Sequence, residues 1–174
     1  MAWTAPMTFT ANSVLTAAQL NTHLRDNMLE TAPAKSTGLS TFFVGNGPNS
    51  IVERQLVGAT VDTVQTTTST SYTDLATVGP SVTVATGSQA LVMWTASLFS
   101  TSTNDASVSW EVTGATSISA NTPRQLANKG ADFIQGSAVH LETNLTPGTN
   151  TFTLKYRTNP AGTATFDNRR IQVL

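Results

Sequence analysis

Apolar and polar residues alternate along most of the chain after about residue 51, as expected for β-strands that bury one face. The longest alternation places Ala90, Val92, Trp94, Ala96 and Leu98 on one side of a single strand. This run is the strongest strand signal in the sequence, because the alternation extends over nine residues.

Other runs predict further strands, separated by turn signals such as Gly79-Pro80 and Pro147-Gly148, and the run at 133–145 is either one long strand or a bent pair. They lie at 51–57, 60–67, 72–77, 81–85, 108–112, 133–145, 152–156 and 164–173. No helical period intervenes, so the sequence predicts a mainly β domain at 51–174, an antiparallel β-sandwich or jelly roll. Trp94 and Trp110 are candidates for its core, and Gly136 is a candidate β-bulge.

The period changes in the N-terminal part, where residues 16–30 predict one short α-helix. Thr16 and Gln19 fit a capping box, and Leu15 and Leu20 occupy the positions of a hydrophobic staple around it. Pro33 is expected to end the helix shortly after residue 30.

The apolar residues of this helix form a narrow line, Leu20, Leu24 and Met28. A helix that docks on a large core presents a wider stripe, so this line favours docking against one partner helix or groove. His23 and Asn27 flank the line. They are either buried polar residues that fix the register or simply exposed.

Residues 1–15 carry Trp3, Met7, Phe9 and Leu15 in a segment that is too short to bury them by itself. Two alternatives stay open: the segment folds back onto its own domain, or it inserts as an extended arm into a neighbouring subunit. We favour the second, and predict an attachment module of arm and helix at 1–35. A linker at 36–50 would follow, with turn chemistry at 45–49. The predicted attachment residues are Trp3, Phe9, Leu15, Leu20, Leu24 and Met28.

Composition and charge exclude several functions. Only 11% of the residues are charged and the net charge is −1, so no basic excess exists for binding nucleic acid. No apolar stretch reaches the roughly 20 residues that cross a bilayer, which predicts no membrane partner. The N-terminus has no signal-peptide pattern, and cysteine is absent.

Candidate chemistry is sparse. The two histidines, His23 and His140, lie far apart, and the carboxylates are scattered without a short-range pair or a metal-ligand spacing. We therefore predict no catalytic residue, no metal and no cofactor, and a protein that is not an enzyme. Arg169 and Arg170 should point to opposite faces of the last strand, as solvated side chains or as a contact to a carboxylate of a neighbouring subunit.

The first 35 residues resemble the N-terminus of small virion proteins of tailed phages and prophages, especially those of actinobacteria. The resemblance rests on Trp3, Pro6 and Phe9, and on the run Leu15-Thr-Ala-Ala-Gln-Leu-Asn-Thr-His-Leu-Arg-Asp-Asn. The C-terminal part, with Leu145-Thr-Pro-Gly-Thr-Asn-Thr-Phe-Thr-Leu and Ala164-Thr-Phe-Asp-Asn-Arg-Arg-Ile, also resembles a phage β-sandwich. The resemblance implies a structural protein of the virion, assembled in the host cytoplasm and extracellular in the mature particle.

Three functions follow as hypotheses. The first is a tail-associated fibre or tip subunit, anchored by arm and helix to other virion proteins and able to touch the host surface. The second is a capsid decoration or head-fibre protein. The third is a carbohydrate-binding module that recognises a host surface glycan, although few aromatic residues are available for a sugar platform. The resemblance also implies a homo-oligomer, with a homotrimer expected.

Overall fold

The computed structural model describes residues 3–39, 41–101, 104–160 and 162–174. Residues 1 and 2 of the predicted arm lie outside the described part. The chain folds into two compact units, one up to Leu56 and the other from Val57 to the C-terminus. The boundary differs from the one predicted, because residues 41–55 belong to the first unit and not to a linker and the β-domain.

The first unit contains the predicted helix, which begins at its capping box. Thr16 accepts the backbone N–H of Gln19, and the Gln19 side chain accepts the backbone N–H of Thr16, which confirms the predicted cap. The helix is α-helical at Ala17–Leu20, π-helical at Asn21–Asp26 and α-helical again at Asn27–Leu29. The π segment has the usual form of this rare structure, a single turn within an α-helix.

A second short helix (Ala32–Lys35) and an antiparallel hairpin complete this unit. Pro33 lies in the first turn of that second helix, where a backbone N–H would have no partner within the helix. It therefore starts a new helix after the first one has ended. Strands β1 (Thr41–Gly45) and β2 (Ile51–Gln55) pair across the turn predicted at 45–49. The predicted linker at 36–50 therefore contains a strand, whose sequence Thr-Phe-Phe-Val-Gly has no apolar/polar alternation to indicate it.

The second unit contains the remaining strands of the described chain. They are β3 (Val57–Val61), β4 (Gln65–Thr67), β5 (Ser81–Thr86), β6 (Ala90–Ser100), β7 (Asp105–Gly114), β8 (Leu126–Lys129), β9 (Ile134–Glu142), β10 (Gly148–Asn159) and β11 (Ala164–Val173). One sheet has the order β5-β10-β7-β8. The other has the order β3-β11-β6-β9, with β4 also paired to β11.

This strand order is that of a jelly roll. All pairings are antiparallel. If β4 is left out, successive strands alternate between the two sheets, except that β7 and β8 are neighbours in the same sheet. The predicted fold class, an antiparallel β-sandwich preceded by an N-terminal segment and a short helix, is confirmed. Paired strands such as β3 and β11 lie far apart in the sequence, so local patterns do not predict the strand order.

The core lies between the two sheets and uses the predicted alternation. Val92, Trp94 and Leu98 of β6 point inward, and all are at most 3% exposed. Trp94 meets Trp110 of β7 edge to face, with ring centroids 6.2 Å apart, which confirms both tryptophans as core residues. Burying such large rings supplies much of the hydrophobic stabilisation of a charge-poor domain.

Two local expectations were wrong. Residues 72–77 form no strand; Thr73 makes one isolated bridge to Tyr156. Gly136 lies in an unbroken register with β6, and an added Cβ would come within 3.0 Å of Leu126, so this glycine serves close packing. The irregularity lies instead in β11, between residues 167 and 170, where Asn168 has a φ of +47°.

Candidate functional site

The six predicted attachment residues are all exposed in the first unit. The exposed fractions are 40% for Trp3, 63% for Phe9, 42% for Leu15, 45% for Leu20, 57% for Leu24 and 61% for Met28. Large apolar side chains scattered singly over a surface are ordinary, so their arrangement decides whether they form a site.

Four of the six residues line one apolar groove. Phe9, Leu15, Leu20 and Leu24 surround an open groove of about 250 Å³. Pro6, Met7, Gln19 and His23 complete its lining. The groove is built jointly by the extended arm and by the helix, because the arm runs beside the face that carries Leu20 and Leu24.

Asn27 joins the arm to the helix. It is 4% exposed, and its side-chain Oδ1 accepts the backbone N–H of Thr4 at 2.9 Å. Its Nδ2 donates to the carbonyl oxygen of Thr4 at 2.9 Å and to that of His23 at 3.2 Å. One amide side chain thus bonds both polar groups of one arm residue, as a neighbouring β-strand would. Sequence reasoning identified Asn27 only as one of two residues flanking the apolar line.

The other two predicted residues lie apart from the groove. Trp3 borders a shallow depression with Glu30, Asn49 and Ile51, and its backbone N–H donates to the carbonyl of Asn49 at 3.0 Å. Met28 is exposed and does not line the groove. The arm is therefore folded back on its own unit, which was the alternative that we did not favour. The side chains of Trp3, Phe9 and Leu15 nevertheless remain exposed.

Charged side chains of this unit form contacts away from the groove. Lys35 lies 2.7 Å from Glu30, and its hydrogen bond is the main reason why the pKa of Glu30 is lowered. The side-chain hydrogen bond from Thr37 likewise lowers the pKa of Glu53. Arg25 pairs with Asp26 at 2.7 Å. The groove itself has no Asp, Glu, Lys or Arg in its lining, so it is suited to an apolar occupant.

His140 lies on β9, near one end of the β-sandwich and beside a structural ion pair. Arg124 donates to Glu142 at 2.9 Å, and both side chains are buried. The other carboxylate oxygen of Glu142 accepts the backbone N–H groups of Thr143 and Asn144. Both oxygens of Glu142 are thereby used in holding strands and loops together.

Arg169 and Arg170 point to opposite faces of β11, as predicted, but Arg169 is fully buried and not solvated. Its guanidinium donates to the carbonyl oxygen of Thr63 at 3.1 Å and to the side chain of Gln65 at 3.2 Å. It also lies over the ring of Tyr156, 5.3 Å from the centroid. Arg169 is thus a structural residue of the core.

Other site types receive no support from the described residues. Within them, no cluster of three or more His, Asp or Glu side chains has the arrangement of a metal site. Trp94 and Trp110 are buried, so neither can stack on a sugar. None of the helices in the described ranges has the length and hydrophobicity needed to cross a bilayer.

No protein-family model matches the chain, and no curated protein matches it significantly.

Proposed function

We propose that this chain is a structural protein of a tailed-phage particle, a tail-associated subunit that is anchored by its N-terminal unit and presents a jelly-roll domain. The single observation that carries the proposal is the apolar groove formed by Phe9, Leu15, Leu20 and Leu24. The resemblance of residues 1–35 to virion proteins gives the groove its context.

The groove supports attachment because it is preformed and unfilled by its own unit. Asn27 fixes the arm against the helix, so the arm need not be ordered when a partner binds. A partner that fills the groove would bury Leu20 and Leu24, which are about half exposed. At about 25 cal/mol per Å² of apolar surface removed from water, burying a few such side chains contributes several kcal/mol.

The second unit supports the same proposal through its own stability. Its core is independent of the first unit, since every residue of the hydrophobic cluster lies at or beyond Val57. A domain of this kind can remain folded while the N-terminal unit carries the attachment.

The proposal is tested by complementing a phage that lacks the gene with variants of the full chain. Leu24→Asp should reduce incorporation into purified particles strongly, because a carboxylate would enter the apolar groove. Thr22→Asp is the matched control: it adds the same charge to the same helix at an exposed position that does not line the groove. Equal incorporation of both variants would contradict the proposal.

Deleting residues 1–30 should likewise abolish incorporation and leave the jelly roll with its thermal transition. Counting copies per particle then separates two locations. A low copy number fits a tail subunit, whereas a high copy number would indicate capsid decoration instead. Absence of the protein from purified particles would refute both.

A further inference from the structure

The outer face of the sheet β3-β11-β6-β9 carries an apolar patch that the core does not use. Leu91 and Met93 of β6 pair across the strands with Leu141 and Val139 of β9. Val139 is 63% exposed and Leu141 is 53% exposed. These four side chains adjoin one another on one face, because residues directly opposite in antiparallel strands have their Cβ atoms about 5 Å apart.

The position of this patch makes it unusual for a solvated surface. Strand β9 is at the edge of its sheet, and edge strands that remain in water are ordinarily protected by charged side chains or proline. The outward positions of β9 are Gln135, Ser137, Val139 and Leu141, and none carries a charge. A partner that covers the face would remove this exposure.

The same face holds one cation and one anion that lack ionic partners among the described residues. Arg170 is exposed and Asp167 is half-buried, and they are separated on β11 by the bulge at Asn168. Within the described ranges, Asp167 accepts hydrogen bonds only from Asn168. By register, Arg170 lies beside Thr95 and Asp167 lies beside Ser97.

We propose that this face binds a second copy of the chain, related by a two-fold axis. The axis lies parallel to the sheet and perpendicular to its strands, and it passes between Thr95 and Ser97 of β6. Rotation about such an axis places Arg170 opposite Asp167 of the second copy, and Asp167 opposite its Arg170. The charges of the face are therefore complementary to the face itself, which is the requirement of a two-fold interface.

The apolar residues match under the same rotation. Met93 comes opposite Phe99 of the second copy, and Val139 comes opposite Phe133. Phe99 and Phe133 stack on each other with ring centroids 6.5 Å apart, and Phe133 is 57% exposed. The aliphatic end of one face thus meets the aromatic end of the other.

The size of the face fits such an interface. The 11 residues of β6 extend about 36 Å at about 3.3 Å each, and four strands spaced by about 4.8 Å span about 19 Å. The face therefore covers about 700 Å², close to the roughly 800 Å² per partner of a standard interface. Although the resemblance implies a homotrimer, the self-complementary face favours a pair.

Sedimentation equilibrium of the full chain tests the proposal. We expect the mass of two chains, and a dissociation constant raised on the order of 100-fold by Val139→Asp, because a charge enters an apolar contact. Thr113→Asp is the matched control on the outer face of the other sheet and should leave the constant unchanged. Leu24→Asp should also leave it unchanged, so that failure of the attachment proposal is distinguishable. A monomer, a trimer or insensitivity to Val139→Asp would overturn the inference.

A charge exchange tests the geometry itself. Arg170→Glu should weaken the pair at least as much as Val139→Asp, since it creates two contacts between like charges across the axis. The double variant Arg170→Glu/Asp167→Lys should restore association at an unchanged melting temperature. If the double variant associates no better than Arg170→Glu while both remain folded, the two-fold arrangement is wrong.

Discussion

Replacing Asn27 with alanine should release the N-terminal arm from the helix. The substitution removes three side-chain hydrogen bonds, two to the backbone of Thr4 and one to the carbonyl of His23. Because Asn27 is 4% exposed, these bonds are shielded from water. The bond to His23 lies within the helix, so only the two bonds to Thr4 hold the arm. At about 1 kcal/mol net for each of these two bonds, the closed arm should lose about 2 kcal/mol of free energy relative to the open arm.

Native-state hydrogen exchange measures this loss directly at the backbone N–H of Thr4, which Asn27 accepts. A loss of about 2 kcal/mol corresponds to about a 30-fold fall in protection. The helix itself should not weaken, because alanine has a better helix propensity than asparagine by up to about 0.7 kcal/mol.

Asn21→Ala is the control, since Asn21 is exposed on the same helix. Protection at Thr4 should then be unchanged, and protection in the jelly roll should be unchanged in both variants. If Asn27→Ala leaves the exchange of Thr4 as it was, the arm is held by other contacts and the assignment of Asn27 as its clamp is wrong.

Three further predictions concern the jelly roll. Arg124→Met should lower the free energy of unfolding by about 3 to 5 kcal/mol, because Glu142 stays buried without its cation. Urea denaturation measures this change, and a loss under about 1 kcal/mol would show that the ion pair is dispensable. Gly114→Ala should lower the melting temperature more than Gly130→Ala. Both glycines have positive φ, but only at Gly114 would the new Cβ meet a backbone oxygen, at 2.5 Å. Equal melting temperatures of the two variants would contradict the clash. Burial raises the pKa of Tyr156 above its ordinary value of 10.0, so its contribution to stability is complete below pH 10 and is lost as the pH rises further. Tyr156→Phe should therefore reduce the fall in melting temperature above pH 10. If the fall is unchanged, other groups cause it.

The sequence alone determined the elements that depend on neighbouring residues. The capping box at Thr16 and Gln19 fixes the start of the helix within four residues of chain. The alternation from Ala90 to Leu98 fixes which side of β6 is buried, since a strand with one apolar face can bury it in only one way. Both patterns are local, and both were therefore predictable.

Only the tertiary structure decided the features that depend on distant partners. Asn27 became a clamp because Thr4, 23 residues away, runs beside it, and Arg169 became a core residue because carbonyl groups about 100 residues away face it. The groove and the self-complementary outer face arise in the same way, from segments that the fold brings together. A sequence pattern records the period of each segment but not its neighbour in space, which is set by the pairing of strands and the packing of side chains.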